Sequence, residues 1–263
     1  MRIIITFFLF ILFRCSVMAQ LHPGFNKAYM LNIDTVNYVG GMITAIHYDS
    51  PTNKIFFNIT AQSPWTYRRV SIRCKADVQG NIEAHKFDSV SNGTVSCSGV
   101  TLSQDNKYLY WYGQSVQFLP APKAFWYLVK TDKNLNVIWR NDYLLPTQDG
   151  HITEVLNVPN STDIIATGNR FTPSNSMGFP VVPSRLHLSR IDSAGNLLQE
   201  YNPQPNKYNS AIGTVFTNDG SIISTGQTEG LTSMQDMTGY NVKISENGAT
   251  IWQSLHEEDA YYV

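Results

Sequence analysis

The stretch Ser245 to Trp252 reads SENGATIW. Asn247 and Gly248 form an Asn-Gly pair, which accommodates the positive φ angles of a tight turn. The residues that follow, Thr250, Ile251 and Trp252, are β-branched or aromatic and suit a strand. Alone this is a hairpin. Its weight comes from recurrence, because the same arrangement stands at three earlier places in the chain.

The four copies are VSIRCKADVQGNIEAHKF, WYLVKTDKNLNVIWRNDY, LHLSRIDSAGNLLQEYN and YNVKISENGATIWQSLH, with Asp77, Asp132, Asp192 and Ser245 in register. Upstream of each lies a second set, NKIFFNITAQS, NKYLYWYGQS, TDIIATGNR and GSIISTGQT, which aligns Ala61, Gly113, Gly168 and Gly226. The glycine-site anchors stand 52, 55 and 58 residues apart and the turn anchors 55, 60 and 53. Two independent anchors thus give a period near 55, which suits a four-stranded propeller blade and is too long for leucine-rich or ankyrin units.

Each unit reads as strand A (MITAIHY, SCSGVTL, HITEVLNV, AIGTVFT), a tight turn, strand B, a long B–C loop and strands C and D. No stretch sustains a helical period with caps. A four-stranded sheet with two apolar faces buries them only by stacking on its neighbours. The expectation is an all-β propeller with four visible four-stranded blades, at about 37–89, 91–145, 148–203 and 207–256. Asp77, Asp132, Asp192 and Ser245 are expected to accept backbone hydrogen bonds in their turns. Gly113, Gly168 and Gly226 are expected to supply positive φ where strand B ends. Repetition in every blade marks these residues as structural.

The repeat resembles bacterial propellers of the SBBP type, which combine an Asn-Gly turn, a VTG-like strand, a variable insert, a VAKLD-like strand and an aromatic outer strand. NDGSIISTG, NVKISENGATIW and LVKTDKNLNVIW carry the similarity, which extends over nearly all of the chain after residue 19. TDKNLNVIW is also similar to the pyrroloquinoline-quinone propeller repeat, without that cofactor's binding constellation, so no cofactor is expected. In SBBP propellers an Asp-Ala-Tyr segment opens a blade. HEEDAYYV therefore reads as the start of a further blade at 257–263, and FNKAYMLN as an orphan outer strand before the first. On this reading the chain is a fragment, or a shortened open relative, of a ring of about six to eight blades, since closure protects the edge strands.

Arg2, the apolar run Ile3 to Phe13 and the Val17-Met18-Ala19 end read as a secretory signal peptide (1–19) cut near Ala19, leaving the propeller at 20–263. That run is far shorter than the roughly 20 residues of a membrane-spanning helix. No other apolar run is long enough, so the mature chain is expected to be secreted or at the cell surface with no transmembrane segment. The ending in Ala-Gln, with the repeat, resembles secreted proteins of Bacteroidota. The mature chain balances 17 basic against 20 acidic residues, which excludes electrostatic steering toward nucleic acid. Its two cysteines, Cys74 and Cys97, read either as a disulfide permitted by export or as a pair of buried thiols.

The sequence holds no GxSxG, HExxH, Walker, EF-hand or CxxC signature, and its six histidines are scattered singly, so neither a catalytic set nor a metal site is expected. Three glycosylation sequons, at Asn58, Asn92 and Asn160, would be surface acceptors in a eukaryotic protein. The repeat varies most in its B–C loops, where Trp65, Tyr67, Phe118, Phe125, Phe171 and Phe179 are candidates for stacking on sugars or anchoring a protein partner. The leading expectation is a non-enzymatic binding or structural module for an unknown glycan or protein. The alternatives are an extracellular polysaccharide hydrolase or lyase, and a truncated chain without function.

Overall fold

The structure is a computed structural model that describes residues 39–63, 68–90, 92–118, 123–143, 149–171, 185–203, 209–229 and 237–256. The readings of 1–19 as a signal peptide and of 257–263 as a further blade lie outside these residues. The described chain is an all-β propeller of four blades, each an antiparallel meander in which every strand pairs with the next. Blade one holds β1 (Val39–Asp49), β2 (Lys54–Gln62), β3 (Arg69–Asp77) and β4 (Ile82–Asp88). Blade two holds β5 (Gly93–Leu102), β6 (Tyr108–Gln117), β7 (Lys123–Asp132) and β8 (Val137–Tyr143). Blade three holds β9 (Asp149–Asn157), β10 (Ile164–Phe171), β11 (Arg185–Ile191) and β12 (Leu197–Tyr201). Blade four holds β13 (Asn209–Phe216), β14 (Ile222–Glu229), β15 (Met237–Ile244) and β16 (Thr250–His256).

The first strands of successive blades touch one another, so they lie innermost. β4, β8 and β12 lie outermost, with β4 and β12 largely exposed and β8 mostly half-buried. The second and third strands of blades one and two are buried on both faces. One core cluster joins Phe56 of blade one to Trp111 and Tyr127 of blade two. A second joins Tyr110 and Trp126 to Ile152 and Ile164 of blade three, and a third joins Ile165 and Leu188 to Ile222 and Val242 of blade four. The forward face of blade four is open instead, with Ile212, Val215 and Trp252 exposed.

The turns carry the backbone signature that hairpins require. The A–B turns place Asn53, Asn106, Asn160 and Gly220 at positive φ, and the C–D turns place Gly80, Leu135, Gly195 and Gly248 there. Asp77, Asp132 and Asp192 each accept the backbone N–H of the residue four positions on, Asn81, Asn136 or Asn196, at 2.8 Å, and that residue's side-chain amide as well. Ser245 accepts the Ala249 N–H at 3.0 Å.

Gly113, Gly168 and Gly226 call for a correction. They lie inside β6, β10 and β14 rather than at strand ends, and none has positive φ. Crowding is the reason at Gly113 and Gly168: a Cβ would lie 2.1 Å from the Ser96 carbonyl oxygen at Gly113, and 2.1 Å from that of His151 at Gly168. In both, the ladder with the innermost strand is irregular at that point, through register shifts between Cys97 and Gly99 and between Thr167 and Gly168. Gly113→Ala is therefore expected to destabilise the fold by about 1–3 kcal/mol, because the obstacle is backbone and cannot rotate away. A urea titration checks this.

Cys74 and Cys97 are free and buried, which overturns the disulfide reading. Cys74 packs with Phe57 and Ile72, whereas Cys97 packs with Phe56 and Trp111. Phe56 and Phe57 are neighbours on β2 and point to opposite sides of the sheet, so the sheet itself separates the two sulfurs. Burial pushes both thiols up to about 12. Both are expected to resist alkylation in the native protein at pH 8 and to react fully in denaturant, as mass spectrometry would show.

Candidate functional site

Of the six B–C loop aromatics, Phe118 and Phe125 flank the loop at 119–122. Phe118 is partly exposed and its backbone N–H donates to Asn92 O at 2.9 Å, while Phe125 is half-buried on β7 opposite Ser115. Phe171 is placed only as the backbone end of β10, opposite Asp149. Trp65, Tyr67 and Phe179 lie outside the described residues. Of the sequons, Asn58 is fully buried and so is no surface acceptor, while Asn92 and Asn160 are exposed turn residues.

The sites that the described residues do form lie on the opposite face, where the A–B and C–D turns emerge. Their organising residue recurs in every blade: Lys75, Lys130, Arg190 and Lys243 each stand two positions before the turn residue. In the first three blades this base reaches forward to the C–D turn of the next blade. Lys75 Nζ donates to Asn134 Oδ1 at 3.5 Å, Lys130 Nζ to Ser193 O at 2.9 Å, and Arg190 Nη1 to Glu246 Oε1 at 3.3 Å. With no blade ahead of it among the described residues, Lys243 turns back to Asp219 of its own blade at 2.6 Å.

Outer-strand side chains reinforce the second and third of these joints. Trp139 Nε1 donates to Ser193 O at 3.0 Å, and Tyr143 OH to Gly195 O at 2.8 Å. In the next joint Tyr201 OH donates to Glu246 O at 2.9 Å. The turn glycines make room for these groups, since a Cβ on Gly195 would lie 2.5 Å from Asn141 Nδ2 and one on Gly248 2.3 Å from the Tyr201 ring.

Two clefts open between blades on this face. The one between blades three and four, about 510 Å³, is closed electrostatically. Its Arg190 donates from Nε to Asp163 at 2.9 Å and also pairs with Glu246. The cleft between blades two and three, about 490 Å³, departs from that plan. Tyr108 stands where blade three has Asp163, so the cation of this cleft has no carboxylate partner. Lys130 is 6% exposed, and its ammonium lies 4.3 Å from the centre of the Tyr108 ring and 5.6 Å from that of Tyr110. Burial lowers its pKa, against the pull of Asp105 and Asp192. Burial also raises the Tyr110 phenol to about 12, which keeps it a neutral hydroxyl. The rim is polar, from Gln104, Asn160, Ser161 and Thr162, and carries one carboxylate, Asp105.

Sequence reasoning passed over this cleft. The signal was the lysine that recurs in the repeat, joined to a tyrosine where the next blade has aspartate. Among the described residues no cluster of three or more His, Cys, Asp or Glu is placed to hold a metal, and no helix is long and apolar enough to cross a membrane.

No protein-family model and no curated protein matches the sequence. Similar solved structures include an acylaminoacyl peptidase from Pyrococcus horikoshii, at 10% identity and TM-score 0.47, over 84% of this chain and 33% of that one. An ACO/RPE65 chimera is similar at 12% identity and TM-score 0.49, over 83% of this chain and 50% of that one. The WD40 domain of SCAP from fission yeast is similar at 8% identity and TM-score 0.31, over 85% and 76% of the two chains. The chain thus spans a third and a half of the first two, and no residue role is carried over from any of them.

Proposed function

We propose that this chain is a secreted propeller of the SBBP repeat type that binds a ligand at the cell surface and does not catalyse. The observation that supports it best is the use made of the recurring charged groups. Asp77, Asp132 and Asp192 are engaged in their turns, Asp163 holds Arg190 within blade three, and Arg190 ties that blade to Glu246 of blade four. What faces the cleft between blades two and three is aromatic, hydroxyl and amide, with one ammonium and the single rim carboxylate of Asp105, without a second carboxylate beside it: equipment for holding a ligand. Export after Ala19 is part of the same proposal and rests on the N-terminal sequence alone.

The test is equilibrium binding of soluble polysaccharides to the exported chain, with release of reducing ends assayed in the same samples. Binding without turnover that survives Glu154→Gln, a partly buried carboxylate on the innermost strand β9, is the expected result. Turnover abolished by a single carboxylate substitution would establish a hydrolase or lyase instead.

A further inference from the structure

We propose that the cleft between blades two and three is a subsite for one neutral sugar residue of a glycan, with Tyr108, Tyr110 and Lys130 as its floor. The proposal rests on the reading of the chain as a binding module and gives that module a ligand class. It begins from a difference between two joints. The equivalent cleft between blades three and four satisfies its base with two carboxylates, which is what a purely structural joint requires. Between blades two and three, the same base meets a backbone carbonyl and two aromatic rings, and the space above it stays open.

The chemistry of the lining selects the ligand. An ammonium has three donors, and Ser193 O engages one of those on Lys130. With the Tyr110 hydroxyl and the amide of Asn160, this sets donors and acceptors side by side around an aromatic surface. A sugar ring matches both parts, offering hydroxyls to the polar groups and an apolar C–H face to a tyrosine. An anion fits less well. Asp105 and Asp192 lie close enough to act on the Lys130 charge, and the ammonium already faces the Tyr108 ring, so the cleft has no surplus positive potential. A folded protein partner needs on the order of 800 Å² of contact on each side, far more than a cleft of this size provides.

The test is calorimetric titration of the full exported chain with cellohexaose, mannohexaose and laminarihexaose, and with oligogalacturonate as the acidic counterpart. Tyr108→Ala removes the ring, Thr162→Trp blocks the exposed rim without touching the floor, and Phe118→Ala serves as a control on the opposite face. Circular dichroism melts of each variant separate lost binding from lost folding. At least one neutral hexaose is expected to bind, with Tyr108→Ala and Thr162→Trp each weakening it about ten-fold or more and Phe118→Ala leaving it unchanged. Three results would overturn the proposal: binding of oligogalacturonate alone, binding of none of these sugars, or neutral-sugar binding that both cleft variants retain. If the loss were confined to Phe118→Ala, the cleft would be wrong while the binding module stood. Turnover of a hexaose would overturn the module itself.

Discussion

Replacing Asp88 with alanine is expected to lower the folding stability by about 3–5 kcal/mol, because it leaves a buried guanidinium without its counter-charge. Asp88 ends β4 in blade one and faces blade two. Its Oδ2 accepts from Arg73 Nη2 at 3.2 Å and from the Tyr127 hydroxyl, and its Oδ1 lies 3.7 Å from Arg140 Nη1. Arg73 is 1% exposed, and its Nε and Nη1 have no hydrogen-bond partner among the described residues. The carboxylate is thus the main compensation for a charge that water does not reach. Around it Arg140 bonds Asp142 at 3.2 Å and lies over the Tyr127 ring, so one substitution loosens a network spanning the joint between two blades. A drop in melting temperature on the order of 10 °C follows for a chain of this size. Asp88→Asn keeps an acceptor for Arg73 and should fall between wild type and alanine. Calorimetry on the three proteins checks the order.

Leu135→Gly is the second large effect, and its direction separates two forces that act on one residue. Leu135 occupies the turn position that is glycine in the other three blades, with φ of 65°, which costs an L-residue about 1–2 kcal/mol. A glycine would remove that strain. Yet Leu135 is fully buried in the core between blades one and two, and deleting such a side chain costs about 2–5 kcal/mol. Packing outweighs strain, so the variant should lose about 2–3 kcal/mol in urea denaturation. The outer strand of blade one explains why leucine is accepted here. It presents Ala84 to the cluster that contains Leu135, where blade two presents Trp139 to Gly195. Small against large and large against small preserve the volume of each joint.

Much of this architecture is legible in the sequence, because a repeat exposes its own grammar. The turn residues Asp77, Asp132, Asp192 and Ser245 align by eye, and the four sheets follow from strand chemistry between them. The exchange at Leu135 is also visible, as NLN in a series that otherwise reads QGN, AGN and NGA. Gly113 and Gly168 show where such reading stops. Positive φ and backbone crowding both select glycine, and only coordinates distinguish them. The cysteines were open for a related reason, since the side of a sheet that a thiol faces depends on register and bulges. The cleft was hidden by repetition itself. Lys130 looks like one more copy of a structural base until its neighbours show that Tyr108 stands where blade three has the carboxylate of Asp163.

Complementary side chains at each joint arrange the blades, and departures from this plan mark what is not structural. The decisive measurement is a double-mutant cycle between Ala84 and Leu135. Ala84→Trp alone should overpack the joint and cost about 1–3 kcal/mol. Combined with Leu135→Gly, the indole should take the seat that Trp139 occupies beside Gly195. The double variant is then predicted to be more stable than Leu135→Gly alone, with a coupling of at least about 1 kcal/mol. Strictly additive losses, or a double variant less stable than either single one, would contradict the claim.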